Sequence, residues 1–237
     1  MRRALVDGEK LEARPKLRGR CPSCDSEMVA KCGRVNVWHW AHKRNPPCDP
    51  WWENETEWHR KWKDHFPADW QEFVAEDLAT GEKHIADVKT PFGLVIEFQH
   101  SAIDPAEIRA REAFYGEMIW IVDGLRGSLD KGYFEMGLGR QPIQNEPLAY
   151  CVEWWGRSRL LHNWSQVGAK VYLDFGDEFL WRLVLFKPET RRAAVGPIQK
   201  GALAESDPSP LKWSDSKYGN FPRGGQVWRR RITNRKR

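Results

Sequence analysis

Cysteines and histidines cluster near the start of the sequence in a pattern that can bind a metal ion. Four of the five cysteines fall between positions 21 and 48, and two of the seven histidines lie in the same segment. The segment contains, in order, Cys21-Pro22-Ser23-Cys24, Cys32, His39-Trp40-Ala41-His42 and Cys48. Zn²⁺ prefers four tetrahedral sulfur or nitrogen ligands, and a two-residue gap allows both ends of a Cys-x2-Cys pair to bind one ion. In a chain without an export signal, such a cluster indicates zinc rather than disulfides. We predict a structural zinc site in which Cys21 and Cys24 are joined by two of three candidates: His39, His42 and Cys48.

Two carboxylates are predicted to face each other across a β-hairpin. The segments His84–Lys89 and Leu94–Gln99 are predicted to be two short strands. The link between them contains Pro91-Phe92-Gly93, in which proline suits the first turn position and glycine the left-handed position of a three-residue loop. That register places Asp87 directly across from Glu97.

Opposed residues of a hairpin share one face of the sheet, with Cβ atoms about 4.5–5.5 Å apart. Asp87 and Glu97 would therefore repel each other unless a cation lies between them. Gln99 and Lys89 are predicted to point to the same face, because side chains alternate along a strand. Carboxylate oxygens without sulfur ligands favour a hard cation, Mg²⁺ or Mn²⁺. The alternative interpretation is a polar strand edge in contact with solvent.

The segment before the hairpin has helical periodicity. Large apolar residues recur near helical spacing from Trp51 to Phe66, and Pro67 ends the run. A second set, spaced four residues apart, predicts one polar stripe on that helix: Glu55, His59 and Lys63. Taken alone, this stripe is more typical of a solvated helix face than of a functional site.

The surrounding pattern predicts the element order helix, three strands, helix, strand. A strand is predicted over Gln71–Asp77 before the hairpin, a helix from Asp104-Pro105 to Tyr115, and a buried strand over Met118–Val122. Beyond residue 125 the signal weakens. A further hairpin is predicted from Lys170–Phe175 and Phe179–Phe186, and residues 188–226 are predicted to be loop or linker.

Composition and charge limit the class of protein. The chain has 237 residues, 41% hydrophobic and 30% charged, and lacks an apolar run of the roughly 18–20 residues that a membrane helix needs. No apolar signal core follows Met1, so we expect a cytoplasmic protein with no membrane partner. The net charge is +5, and residues 223–237 carry seven basic residues and no acid. This tail, which contains Trp228, is either a solvated terminus or an arm that binds nucleic acid.

Taken together, these motifs resemble a known family. The element order, with an acid on the second strand and Glu-x-Gln on the third, is similar to the PD-(D/E)XK nuclease core, and more closely to the competence protein CoiA-like family of that superfamily. Members of that family combine an N-terminal zinc-finger-like segment with the nuclease core. The matching strings, in the expected order, are Cys21-Pro-Ser-Cys24, His39-Trp-Ala-His42, Glu55-Thr-Glu-Trp-His59 with Lys63, Ala86-Asp87-Val88, Glu97-Phe-Gln-His-Ser101 and Arg111-Glu-Ala-Phe-Tyr115.

The resemblance implies a catalytic role for several of these residues. Asp87 and Glu97, with the main-chain carbonyl of Phe98, would hold a catalytic Mg²⁺ or Mn²⁺ that activates water. Glu55 would orient a water molecule or complete the metal ligands. Gln99 stands where the superfamily usually has lysine, so the positive charge expected there is missing, although glutamine can still bind the water by a hydrogen bond.

Four further residues would bind the substrate or support the site: His59, Lys63, Arg111 and Tyr115. Arg111 and Tyr115 are four apart on the second helix and would contact phosphate or brace the carboxylates. The missing positive charge would come from Lys63 or Lys89.

The sequence thus predicts an α/β protein with a restriction-endonuclease-like αβββαβ core over residues 51–150. A zinc-finger-like module would occupy residues 1–50, and a β-containing extension with the basic tail residues 151–237. The expected activity is Mg²⁺-dependent hydrolysis of single-stranded, duplex or branched DNA, in DNA processing, recombination or competence, with recombination proteins as partners. The alternatives are a catalytically idle DNA-binding protein with the same fold, and a nuclease that acts on RNA.

Overall fold

The structure is a computed structural model that describes residues 1–44, 48–51, 55–154, 159–164 and 167–200. The basic tail, including Trp228, lies outside the described residues. The chain divides into two units, Met1–Asp123 with Val167–Val171, and Gly124–Gln166 with Tyr172–Arg237. The division into three domains at residues 50 and 150 stays a prediction. Within the described ranges, no helix is long and apolar enough to cross a membrane.

The first unit begins with a small antiparallel sheet. Its strands are β1 (Arg3–Val6), β2 (Glu9–Glu12), β3 (Arg18–Arg20), β4 (Glu27–Lys31) and β5 (His39–His42). They lie in the order β2-β1-β3-β4-β5. Asp7 and Gly8 connect β1 to β2 with positive φ angles of 51° and 88°, as the Asp-Gly sequence of a type I′ turn favours. The buried core of this sheet is small and consists of Met1, Ala4, Ala13, Cys21, Met28 and Trp40.

The rest of the first unit has the predicted element order. Its elements are α1 (Glu57–Lys63), β6 (Gln71–Glu76), β7 (Lys83–Lys89), β8 (Val95–Gln99), α2 (Pro105–Tyr115) and β9 (Met118–Asp123). Strands β6, β7 and β8 are antiparallel neighbours, and β9 is parallel to β8. The β7–β8 register is as predicted, with Val88 opposite Ile96 and Lys89 opposite Val95. The fold is therefore mixed α/β.

Helix α1 begins later than its apolar periodicity predicts. Thr56 is the N-cap, and its side chain accepts a hydrogen bond from the backbone N–H of His59, so the helix starts at Glu57. Glu55 therefore precedes the helix, and the prediction of a single helical stripe that includes it is wrong. Residues 52–54 of the predicted helix lie outside the described residues.

The second unit is also a sheet with short helices. Its elements are α3 (Asp130–Gly137), β10 (Gln144–Asn145), β11 (Leu148–Glu153), α4 (Arg159–Trp164), β12 (Lys170–Asp174, of which the first two residues belong to the first unit), β13 (Phe179–Lys187) and β14 (Arg192–Gln199). The strands lie in the order β10-β11-β14-β13-β12. The predicted β12–β13 hairpin is confirmed, with Tyr172 opposite Arg182. The prediction of loop over residues 188–226 is wrong for β14, where Gly196 and Pro197 pair with β13 although both are typical of turns.

Candidate functional site

Three cysteines and one histidine converge at one end of the N-terminal sheet. One ligand atom from each of the four residues lies within 4.8 Å of the others: Cys21, Cys24, His42 and Cys48. The Cys21 and Cys48 sulfurs are 3.8 Å apart, and the Cys24 sulfur is 3.3 Å from His42 Nε2. A tetrahedron with Zn–S bonds of about 2.3 Å has edges of about 3.8 Å. The cluster could therefore bind a metal such as zinc.

The strand geometry of β5 decides which histidine joins the cluster. Side chains alternate along a strand, so residues three apart point to opposite faces. His42 lies with the cysteines, whereas His39 Nδ1 lies 2.8 Å from the carbonyl oxygen of Val37. Cys32 also lies outside the four-residue cluster.

Burial keeps two thiols of this cluster protonated when no cation is bound. It raises the pKa of Cys21 and raises the pKa of Cys48 to about 12, whereas burial at Cys24 is outweighed by hydrogen bonds, which lower its pKa. A metal ion that binds here must displace those protons, because Zn²⁺ is bound by thiolates. Metal affinity at this cluster is therefore expected to increase with pH.

Asp49, the residue after Cys48, connects the cluster to strand β7. The Asp49 carboxylate accepts a hydrogen bond from the backbone N–H of Ile85 at 2.7 Å and lies 2.8 Å from His84 Nδ1. The Trp51 ring stacks on the His84 ring at 3.2 Å between centroids. Cys48 is thus anchored beside β7, the strand that carries Asp87. No motif in the sequence marks Asp49 or His84 as partners.

We expect Asp49→Ala to lower the free energy of unfolding by about 2–3 kcal/mol, because the Ile85 N–H and the His84 ring would lose their buried acceptor. Chemical denaturation at neutral pH measures the change. Asp69→Ala is the matched control, since Asp69 is exposed. Equal stabilities of the two variants would contradict a fastening role for Asp49.

The two predicted carboxylates lie where β7 and β8 separate. The backbone ladder of this pair is limited to Val88–Ile96 and Lys89–Val95. Beyond it, the Asp87 N–H donates to Glu97 Oε1 at 3.1 Å, and the Phe98 N–H donates to Asp87 Oδ2 at 3.0 Å. The carboxylates therefore replace missing ladder bonds as acceptors and are held in fixed positions.

Lys63 of α1 places its ammonium group among three carboxylates. Lys63 is 5% exposed, and its Nζ lies 2.9 Å from Asp87 Oδ1, 3.3 Å from Glu55 Oε1 and 3.7 Å from Glu72 Oε1. Burial opposes charge on all of these groups. The attraction of Asp87, Glu72 and Glu55 nevertheless raises the pKa of Lys63, and Lys63 with His59 holds the pKa of Asp87 below its usual value. Lys63, rather than Lys89, therefore carries the positive charge next to Asp87.

Glu97 is paired with Arg111 of α2. Arg111 Nη1 donates to Glu97 Oε2 at 2.8 Å, and the same guanidinium donates to Glu107 and to the backbone oxygen of Trp51. Burial and the nearby charge of Asp87 raise the pKa of Glu97 to about 8, and Arg111 offsets this only in part. Arg111 thus holds one oxygen of the Glu97 carboxylate, while the other accepts from the backbone of β7.

His59 connects helix α1 to β8. Its Nε2 lies 3.0 Å from the carbonyl oxygen of Phe98, which can only accept, so Nε2 carries the proton. Nδ1 then accepts from the Thr56 N–H and hydroxyl, at 3.3 Å and 2.9 Å. The hydrogen bond from Nε2 fixes the position of the Phe98 carbonyl oxygen. That oxygen keeps a second lone pair for another partner.

Glu72 is a buried acid of the site that the sequence pattern does not reveal. It is 3% exposed and has a left-handed φ of 49°. Its carboxylate accepts the backbone N–H groups of Arg2 and Arg3 at 2.6 Å and 2.8 Å. A non-glycine residue in this conformation is strained, and such strain is found most often at functional sites. The sequence shows only a polar residue in a predicted strand.

A cavity of about 60 Å³ joins these groups, enough for a few water molecules. Seven of the nine predicted catalytic and support residues line it: Glu55, His59, Lys63, Asp87, Glu97, Phe98 and Arg111. Gln99 and Tyr115 do not. Gln99 is buried and its Nε2 donates to the backbone oxygen of Ser101 at 3.2 Å, while the Tyr115 ring packs against Trp51.

The ligand atoms around this cavity suit a cation. Its carboxylates are Glu55, Glu72, Asp87 and Glu97, and the basic groups beside them are Lys63, Arg111 and the buried amino group of Met1, with Arg60 also paired to Glu55. All the acidic ligand atoms are oxygens, the ligands that Mg²⁺ and Mn²⁺ prefer. The residues therefore fit a hard divalent cation in the type of their ligand atoms.

The fold and the two clusters define a mixed α/β protein with a candidate Cys3His metal site near its N-terminus. Residues 7–50 match the family model of the N-terminal domain of competence protein CoiA. This match confirms the predicted resemblance to a CoiA-like family over that segment. It ends before α1, so it does not test the nuclease core. No match was found among the curated proteins or the solved structures.

Proposed function

We propose that this chain is a metal-dependent deoxyribonuclease with a PD-(D/E)XK core and a competence-related role in DNA processing. The observation that carries the proposal is the convergence of Asp87, Glu97 and Glu55 on one cavity that also contains basic side chains. The match to the N-terminal domain of competence protein CoiA supports DNA as the substrate. The buried position of the acids argues against a solvated strand edge.

The proposed roles follow from the contacts of each residue. Asp87, Glu97 and the Phe98 carbonyl would hold the divalent cation, and Glu55 would orient a water molecule or complete the metal ligands. When bound, such a cation supplies Lewis acidity, which stabilises charge on the phosphate and lowers the pKa of water. Lys63 would provide the positive charge that Gln99 lacks.

Arg111 and His59 would act as positioning residues in this reaction. Arg111 holds the Glu97 carboxylate by a charge-assisted hydrogen bond, and His59 holds the Phe98 carbonyl. Both fix a proposed ligand atom without contacting the substrate. The buried Gln99 amide, bonded to Ser101, would help hold the end of β8.

We expect Asp87→Asn and Glu97→Gln each to reduce DNA cleavage by about a hundredfold or more, because metal stabilisation of the transition state is worth several kcal/mol. The measurement is cleavage of labelled single-stranded, duplex and branched DNA with Mg²⁺ or Mn²⁺. Both substitutions keep the side-chain shape, and zinc content with thermal unfolding checks that the fold is intact. Glu76→Gln, which changes an exposed acid of β6, should cleave like the wild type. A wild-type protein that leaves every DNA form intact with either metal would refute the nuclease.

The second candidate function is DNA binding without hydrolysis. It is favoured by the contacts of Asp87 and Glu97, whose four carboxylate oxygens each accept from a protein donor, with the Lys63 ammonium next to Asp87. In that case, Lys63 would take the place of the metal. DNA retained in a gel-shift assay without cleavage would support this function, and cleavage of matched RNA alone would indicate an RNA nuclease instead.

A further inference from the structure

A large cleft lies on the N-terminal sheet beside the carboxylate cavity. It has a volume of about 1110 Å³ and is bordered by the loop before β5 and by the start of α1. Its polar and aromatic lining includes Arg34, Asn36, Trp38, His39 and Arg60. These side chains can stack on bases or donate to phosphates, and none of them belongs to the zinc cluster.

A second cleft also has Trp38 in its lining. It has a volume of about 410 Å³ and shares Glu12, Ala13 and Trp38 with the first cleft. Its remaining lining is mostly basic, with Arg3, Lys10 and Arg14. The two clefts share part of their lining, each contains basic side chains, and we call them together the Trp38 track.

The net positive charge of the N-terminal segment is complementary to the negative charge of a nucleic acid. Residues 1–44 contain 11 Lys and Arg against 5 Asp and Glu. Residues 45–222 contain 20 against 28, so they are acidic. The basic tail is therefore not the only source of positive charge, because the segment that carries the track is itself basic. Clustered positive charge attracts the phosphate backbone.

Trp38 is held in position for stacking. Its ring is 45% exposed, while its Nε1 donates to the carbonyl oxygen of Gly33 at 3.1 Å. The Trp38 carbonyl in turn accepts from the Arg60 guanidinium. An aromatic ring fixed in this way can stack on a base at little entropic cost, and base stacking does not depend on sequence.

Two of the three acids along the track are paired with basic neighbours, and the third, Glu57, is exposed. Glu12 accepts from Arg2 at 2.7 Å, and Glu55 is paired with Arg60 and Lys63. Glu55 lines both the large cleft and the carboxylate cavity. The track thus ends beside the proposed metal ligands.

We propose that the Trp38 track binds single-stranded DNA, with a base stacked on Trp38 and the backbone contacted by Arg34 on one side and by the basic residues of the second cleft on the other. A duplex is read by a convex element that enters its groove, whereas a concave path with a stacking ring suits an unpaired strand. The inference rests on the proposed nucleic-acid role of this chain and names the form of DNA that it takes.

The test uses the full-length, zinc-loaded protein without added Mg²⁺, so that cleavage is not needed. Fluorescence anisotropy of a labelled strand of about 12 nucleotides gives the affinity as a function of salt. Trp38→Ala should weaken binding about tenfold, and Trp38→Phe should restore most of it. Arg34→Ala should lower the slope of log affinity against log salt by about 0.7, the contribution of one phosphate contact. Arg18→Ala is the matched control, since Arg18 is an exposed arginine of β3 outside both clefts.

A second measurement locates the strand directly. A strand that carries 5-iodouracil should, after irradiation, cross-link to the peptide that contains Trp38. Variants of Trp38 and Arg34 that bind like Arg18→Ala, or a duplex that competes as well as the single strand, would overturn the track. A wild type that binds no single strand would overturn it as well.

The outcomes separate this inference from the nuclease. Binding through Trp38 without any cleavage in Mg²⁺ or Mn²⁺ would refute the proposed nuclease activity and support DNA binding at the Trp38 track. Cleavage by the wild type, together with normal binding by the Trp38 and Arg34 variants, would support the nuclease activity and refute binding at the track.

Discussion

Replacing Cys48 with serine is expected to abolish zinc binding and to unfold the N-terminal sheet. The buried core of that sheet contains six residues, of which Ala4, Ala13 and Cys21 are small, so apolar burial alone cannot stabilise it. A structural zinc site supplies an apparent free energy of about 10–16 kcal/mol at pH 7. The loss should appear as a zinc content well below one per chain and as rapid proteolysis within the N-terminal sheet.

The chain provides matched controls for this experiment. Cys32→Ser changes a cysteine of the same segment that lies outside the cluster, and it should keep one zinc per chain. The histidines give a second comparison, since His42→Ala should lose zinc and His39→Ala should keep it. The reverse result for the two histidines would show that the cluster is assembled differently.

The second large effect is expected at Lys63. Lys63→Met keeps the length of the side chain and removes the charge that Asp87, Glu55 and Glu72 surround. Removing one partner from a buried charge cluster leaves the others uncompensated, which costs about 3–5 kcal/mol. Denaturant unfolding at pH 7 should therefore show a loss of this size. Lys61→Met, an exposed lysine of the same helix, should be close to neutral.

The loss of unfolding free energy caused by Lys63→Met should become smaller as the pH falls from 7 towards 5. Without Lys63, burial raises the pKa of Asp87 and Glu55 above their unfolded values, so protonation stabilises the variant over this range. In the wild type the pKa values of both groups are lowered, so their protonation destabilises it only below their unfolded values of about 4, outside this range. An equal loss of unfolding free energy at pH 7 and at pH 5 would contradict the proposed interaction of Lys63 with the three carboxylates.

The same variant probes the proposed metal site. If Mg²⁺ can occupy the position of the Lys63 ammonium, millimolar Mg²⁺ should raise the melting temperature of Lys63→Met more than that of the wild type, because a ligand stabilises the state that binds it. The double variant Lys63→Met with Asp87→Asn should lose this response. A response that survives in the double variant would place the ion elsewhere.

Local patterns were sufficient for the element order and for the register of the β7–β8 hairpin. The three-residue loop around Pro91 and Gly93 sets which residues oppose each other, so Val88 and Ile96 pair as the turn predicts. Similarly, Cys21 and Cys24 are close in sequence, and their spacing alone predicts that both belong to one metal-binding cluster. Patterns failed at the start of α1, where the cap at Thr56 outweighs the apolar periodicity, and at β14, where sheet pairing outweighs Gly196 and Pro197.

By itself, the sequence determined that this chain has a Cys- and His-rich N-terminal segment followed by two helices and four strands with paired acids, because turns, caps and short spacings act over a few residues. Only the tertiary structure decided which distant groups meet. It selected His42 and Cys48 as the remaining members of the metal cluster, and it brought Glu72 and Lys63 to Asp87. These contacts join different strands and a helix, and their geometry depends on packing that no short segment of sequence contains.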